Sequence, residues 1–140
     1  MKKFFMLTLC LILLVTCMAS CNKPKSQDNT STIPVPNADP KKAEETLEAA
    51  GYEVILVEVK EPDKDGIVAS LLASKGADDY VLIHYFDTKE NAKVAYDKLK
   101  KTFDKAKENA EKAGKEFNDI CAMFGKMVYT GTPNAIMAAQ

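Results

Sequence analysis

Phe4 to Met18 is a fifteen-residue stretch without a single charge, and it limits what the rest of the chain can build. Lys2 and Lys3 precede it, and the small residues Ala19 and Ser20 follow. A spanning helix needs about 20 apolar residues, so this run is short for a permanent membrane segment. A cationic start, a short apolar core and a small-residue end are the plan of a secretory leader that is cut away. Residues 1–20 are therefore expected to contribute nothing to a folded core.

Met18-Ala19-Ser20-Cys21 resembles a bacterial lipobox, in which small residues stand before a cysteine. The resemblance implies that the Cys21 thiol takes a diacylglycerol and that the chain is then cut between Ser20 and Cys21. Cysteine is required because its sulfur is the nucleophile that becomes the thioether. Met18 stands where the family usually has Leu. Cys17 is a rival acceptor, but Thr16 is a poor small residue beside a cut. Plain secretion, with cleavage near Ala19 or Ser20, is the alternative. Two acyl chains would suffice for stable anchoring, at about 0.8 kcal/mol per buried CH₂. The expected location is the extracytoplasmic face of the cell membrane, reached through the lipid on Cys21. Asn22 is not the Asp that marks inner-membrane retention in double-membrane bacteria.

Residues 21–39 read as the lipidated cysteine and a flexible stalk. The stretch is rich in Ser, Thr, Asn and Pro, with Ile33 and Val35 its only large apolar side chains. Such a segment buries too little surface to offset its ordering entropy.

Residues 40–140 read as a single α+β domain. Asp39-Pro40 starts a helix, with Asp as the cap and Pro at the first helical position. Ala43, Leu47 and Ala50 share its inner face, and Gly51 ends it. Three strands follow, over Tyr52–Lys60, Ile67–Lys75 and Tyr80–Phe86. The third is apolar on both faces and is expected to be central. Asp87 and Glu90 are spaced like a capping box at the head of a long amphipathic helix that ends at Gly114. Ile120–Phe124 and Lys126–Thr130 read as a hairpin turning at Gly125-Lys126. Thr132-Pro133 opens a last short helix. The expected architecture is an antiparallel-rich sheet with helices packed on one face, in the order α-β-β-β-α-β-β-α.

Composition excludes some functions. The 140 residues carry 19 lysines and no arginine against 20 acids. Losing Lys2 and Lys3 with the leader would leave 17 lysines against 20 acids. A mildly acidic domain is a poor phosphate-neutralising binder of nucleic acid. One histidine, His84, cannot build a histidine-rich metal site. Starting a calcium loop at Glu61 puts Asp63, Asp65 and Gly66 in place, but its twelfth residue is Leu72 where a bidentate Glu is needed. Asp63 to Gly66 therefore reads as a turn, and Asp78-Asp79 as a solvated one. No phosphate-cradling glycine loop, dinucleotide fingerprint or nucleophile elbow occurs, so no cofactor and no metal is expected.

Of four cysteines, Cys10 and Cys17 would leave with the leader and Cys21 would carry the lipid. Cys121 is then a buried small hydrophobe, with a His84-activated nucleophile as the sharper alternative. Tyr80, His84 and Phe86 share one strand face with Leu82. They form the candidate contact surface for a small ligand, a protein partner or a second copy in a homodimer. The lysines around Lys98 to Lys107 read as a solvated helix face. The expected role is a non-enzymatic binding domain. A small hydrolase using two acidic residues, or an inhibitor-like module for an envelope enzyme, are the alternatives.

Ala50-Gly51-Tyr52 with Val54, the strand Ile83-His84-Tyr85-Phe86 with Ala92 and Tyr96, and the run Gly125 to Thr132 followed by Ala135-Ile136 resemble small lipoproteins of Gram-positive anaerobic bacteria. The resemblance spans Ala43 to Ala139. It implies a single-membrane host and transfers no catalytic residue.

Overall fold

One antiparallel sheet organises the molecule, and helices cover both of its faces. The computed structural model describes residues 33–140. Residues 1–20, expected to be a leader, and Cys21 lie outside them. The elements are α1 (Pro40–Ala49), β1 (Glu53–Glu58), β2 (Ile67–Lys75), β3 (Asp79–Phe86), α2 (Lys89–Lys112), β4 (Ile120–Phe124), β5 (Met127–Gly131) and α3 (Pro133–Ala138). The sheet order is β1-β2-β3-β5-β4, all neighbours antiparallel. The α+β class and the element order agree with the sequence reading, and β3 is the central strand.

Alternation along the strands sorts side chains into two layers. Ala69, Leu71 and Ala73 of β2 face the same way as Val81, Ile83 and Tyr85 of β3 and Met127 and Tyr129 of β5. Ala43 and Leu47 of α1, with Ala135, Ile136 and Ala139 in and just after α3, close this principal core. The opposite face carries Phe86 and Val128, packed by Ala92, Ala95, Tyr96 and Leu99 of α2. The expectation of helices on one face is thus corrected. β3 and β5 are apolar on both sides, so both sides need cover in the half of the sheet where these strands lie.

A register shift in β2 serves this division. Ile67 is opposite Phe86 and Ala69 opposite Tyr85, leaving Val68 as the extra residue of a bulge. Ile67 consequently packs with the α2 layer and Val68 with the principal core.

The packed body begins before Pro40. Pro36 is buried and Val35 packs on the principal core. The Tyr129 hydroxyl donates to the Pro34 carbonyl at 3.0 Å, and the Tyr85 hydroxyl to the Asn37 carbonyl at 3.1 Å. The Asn37 amide donates to the Ala139 carbonyl at 2.7 Å. Residues 34–37 therefore form a strap across the sheet, not stalk. The prolines cost this strap no amide donor that a ladder would need.

Caps match local chemistry with one change. Asp39 Oδ1 accepts from the Lys41 amide at 3.0 Å, and Thr132 caps α3. Thr88, not Asp87, caps α2, its Oγ1 accepting from the Asn91 amide at 3.1 Å. The Asp87 carboxylate instead accepts from the Asn91 side chain at 2.8 Å. Asp79 also departs from expectation. Its carboxylate is half-buried, accepts from the Tyr52 hydroxyl at 2.7 Å and pairs with the Thr132 hydroxyl. It is a junction between α1, β3 and α3, not a solvated turn residue. Among the described residues no helix is long and apolar enough to cross a membrane.

Candidate functional site

α2 covers the β3-β5-β4 half of its face and leaves β1 and β2 bare there. Ile55, Val57 and Leu72 are consequently 62%, 54% and 44% exposed. A groove of about 570 Å³ runs along the boundary between the helix and this bare half. Leu82, His84 and Phe86 of β3, with Ile67 and Val128 beside them, form its sheet wall. Asn91, Val94, Ala95, Lys98, Leu99 and Thr102 form the helix wall. Lys64 and Asp65, from the turn before β2, close one end.

That turn is built by Asp63. Its Oδ1 accepts from the amides of Asp65 and Ile67, both at 2.9 Å, and its carbonyl accepts from the Gly66 amide. An aspartate bonding its own backbone two residues on is the ordinary chemistry of such turns. The carboxylate is thereby committed to the loop.

Tyr80, His84 and Phe86 share a strand face, as the alternation requires, but they do not make one open surface. Phe86 is only 3% exposed, because the apolar stripe of α2 lies on it. His84 and Phe86 do meet, edge to face, with ring centroids 6.5 Å apart. Tyr80 is at the other end of β3. Its hydroxyl donates to Asp119 Oδ2 at 2.7 Å. Burial, then that carboxylate, pushes its pKa up to about 12, so it stays a neutral donor. The part of the candidate surface that faces the groove is His84 with Phe86 as floor.

His84 Nδ1 lies 2.8 Å from Ser70 Oγ, directly across the β2–β3 ladder. Ser70 is the partner that sequence reasoning missed. Its one signal was a polar residue alternating with Ala69 and Leu71, which marks a face but not a neighbour. Burial lowers the His84 pKa, and the Asp63 charge opposes this only in part. The ring is thus neutral at pH 7. It offers the groove a polar handle on the sheet wall, between Leu82 and Phe86.

The geometry does not assemble a nucleophilic triad. Asp63 is spent on its loop, and no described carboxylate bonds the imidazole. Cys121 is buried on β4, with β5 between it and β3, and burial pushes its thiol up, away from thiolate. The groove itself supplies one carboxylate, Asp65, where acid–base hydrolysis would need two. No cluster of three or more His, Cys, Asp or Glu that could hold a metal occurs among the described residues.

A pH dependence follows from the buried ring. The unfolded chain takes up a proton on His84 near pH 6.5, about its ordinary value, and the folded chain only below that. Between the two values the native state binds fewer protons, so stability falls as pH drops through this window. A His84→Gln variant is expected to flatten that slope. Because the chain has one imidazole, its NMR titration midpoint reads the shift directly. A midpoint above 6.5 would contradict the burial argument.

Comparison with protein-family models, with curated proteins and with solved structures finds no match.

Proposed function

We propose that this chain is an extracytoplasmic lipoprotein, held at the outer face of the cell membrane by a lipid on Cys21, whose domain binds a ligand without transforming it. The groove between α2 and the bare half of the sheet carries this reading. Its volume falls within the roughly 300–1,000 Å³ usual for small-ligand sites. Seven of its thirteen lining residues are apolar, and His84, Asn91, Thr102, Lys64, Asp65 and Lys98 supply polar and charged groups that can orient a ligand. A lining with one carboxylate, Asp65, favours retention of a ligand over acid–base hydrolysis, which would need two. The lipobox at Met18 to Cys21 supports the anchor.

The anchor and the groove are tested separately. Cys21→Ala is expected to abolish incorporation of labelled fatty acid and to move the chain out of the membrane fraction. Unchanged labelling would sink the anchor. For the groove, Ala95→Trp fills the helix wall and His84→Ala removes the polar handle. Both are expected to abolish chemical crosslinking of bound molecules to the intact protein in membranes. Crosslinks that persist in both variants would place binding elsewhere.

A further inference from the structure

We infer that the groove receives an acyl chain of an anionic membrane lipid, while a row of lysines on α2 holds the lipid's head group. The inference rests on the binding reading above and names the class of ligand.

Positive charge is concentrated on one element. α2 carries eight lysines against five acids. The rest of residues 33–140 carries seven lysines against fourteen acids. At 3.6 residues per turn, the acids of α2 fall in a single row. Three lysines outside the groove are paired with that row, Lys93 to Asp97, Lys100 to Asp104 and Lys112 to Glu108. Lys98 lines the groove, and at the same helical period Lys101 and Lys105 fall on its flank, in line with Val94 and beyond the lining itself. None of these three holds an ion pair among the described residues. They cover about 10 Å of helix length. At the opposite end, Lys64 and Asp65 offset each other, so the unbalanced charge lies along the helix.

The apolar part has the matching shape. Its helix wall runs from Asn91 to Thr102, about 16 Å at 1.5 Å per residue. Val94 is 54% exposed at the mouth, and the bare apolar side chains of β1 and β2 extend the same surface. A groove with seven apolar lining residues of thirteen, beside a row of cations, is complementary to an amphiphile with a negative head. A lysine row, with no arginine in the chain, presents compact point charges, which suit attraction to a phosphate plane more than bidentate recognition. Apolar and basic side chains on one surface are also the composition of membrane-interface elements. Cys21 stands twelve residues before Ile33, a reach of at most about 40 Å. A lipid anchor there keeps the groove within range of the bilayer.

The test uses the full lipidated chain in phosphatidylcholine nanodiscs. A small fraction of the lipid carries a nitroxide on its acyl chain, as either phosphatidylglycerol or phosphatidylcholine. The readout is paramagnetic broadening of methyl signals from Leu82, Val94 and Val128. Labelled phosphatidylglycerol is expected to broaden them strongly and labelled phosphatidylcholine weakly. Lys98→Gln should reduce that preference about fivefold, the factor expected of one basic side chain at an anionic surface. Replacing Lys98, Lys101 and Lys105 together by Gln should abolish it. Ala95→Trp should protect Leu82 and Val128 while the preference for the anionic head remains. Equal broadening by the two lipids, or none in the groove, would overturn the inference. If the groove is silent to both lipids yet groove variants still abolish crosslinking, the binding reading stands and the lipid assignment falls. If neither experiment responds to the groove variants, both fall.

Discussion

Gly131→Ala is expected to destabilise the domain by about 3 kcal/mol, the upper end of the cost of overpacking. Gly131 ends β5, opposite Val81 of β3 on one side and Ile120 of β4 on the other. A Cβ added there would sit 2.3 Å from the Tyr80 carbonyl oxygen and 2.8 Å from the Val81 Cα. Both are backbone atoms of the central strand, so relief requires prising β3 from β5. The next residue is tied to the same place, since the Thr132 amide donates to the Tyr80 carbonyl at 2.9 Å. Urea denaturation measures the effect. Gly76→Ala is the comparison, because a Cβ there meets nothing within 4 Å and only the positive φ of +70° is strained. That strain is expected to cost about 1–2 kcal/mol. Equal midpoints for the two variants would show that the β3–β5 approach can relax freely.

Ile136→Ala is expected to cost about 2–5 kcal/mol, the range for truncating a buried isoleucine. α3 has six residues, too few to hold a helix by itself. It exists because Ala135, Ile136 and Ala139 are wholly buried against the principal core. Its loosening should spread, because the Ala139 carbonyl holds the Asn37 amide. Hydrogen exchange at Asn37 is therefore expected to accelerate together with the fall in stability. Met137→Ala, one residue away but 52% exposed, should change stability by less than about 0.5 kcal/mol. A wild-type midpoint for Ile136→Ala would mean that α3 is not part of the core.

The candidate site was legible one residue at a time and not as a place. Alternation put His84 and Phe86 on one face of β3, and that is where they are. Alternation is silent about what lies over that face, so Phe86 was read as surface when α2 buries it. Ser70 reaches His84 through a pairing fourteen residues apart, and nothing local specifies that register. Lys98 looked like one more solvated lysine. Its distinction from Lys93 and Lys100 is the absence of a paired acid and its position beside a groove. The same reasoning explains Asp79. A dyad of aspartates after glycine reads as a turn, but Tyr52 and Thr132 converge on it from distant parts of the chain.

The sequence alone located the elements, because the signals that mark them are local, although the six-residue α3 is held in place by its burial against the core. Apolar periods of two and 3.6 set strands and helices, and Gly, Pro and capping residues set their ends. It also determined that β3 is central, since that strand is apolar on both sides. The uncharged run that begins at Phe4 lies outside the described residues, and its reading as a leader rests on the sequence alone. Only the tertiary structure decided how the helices divide between the two faces, where the strap of residues 34–37 lies, and that a groove opens beside His84. Each of these depends on which apolar stripe covers which sheet face. That choice is made by burying the largest total apolar area, a property of the whole assembly that no single segment carries.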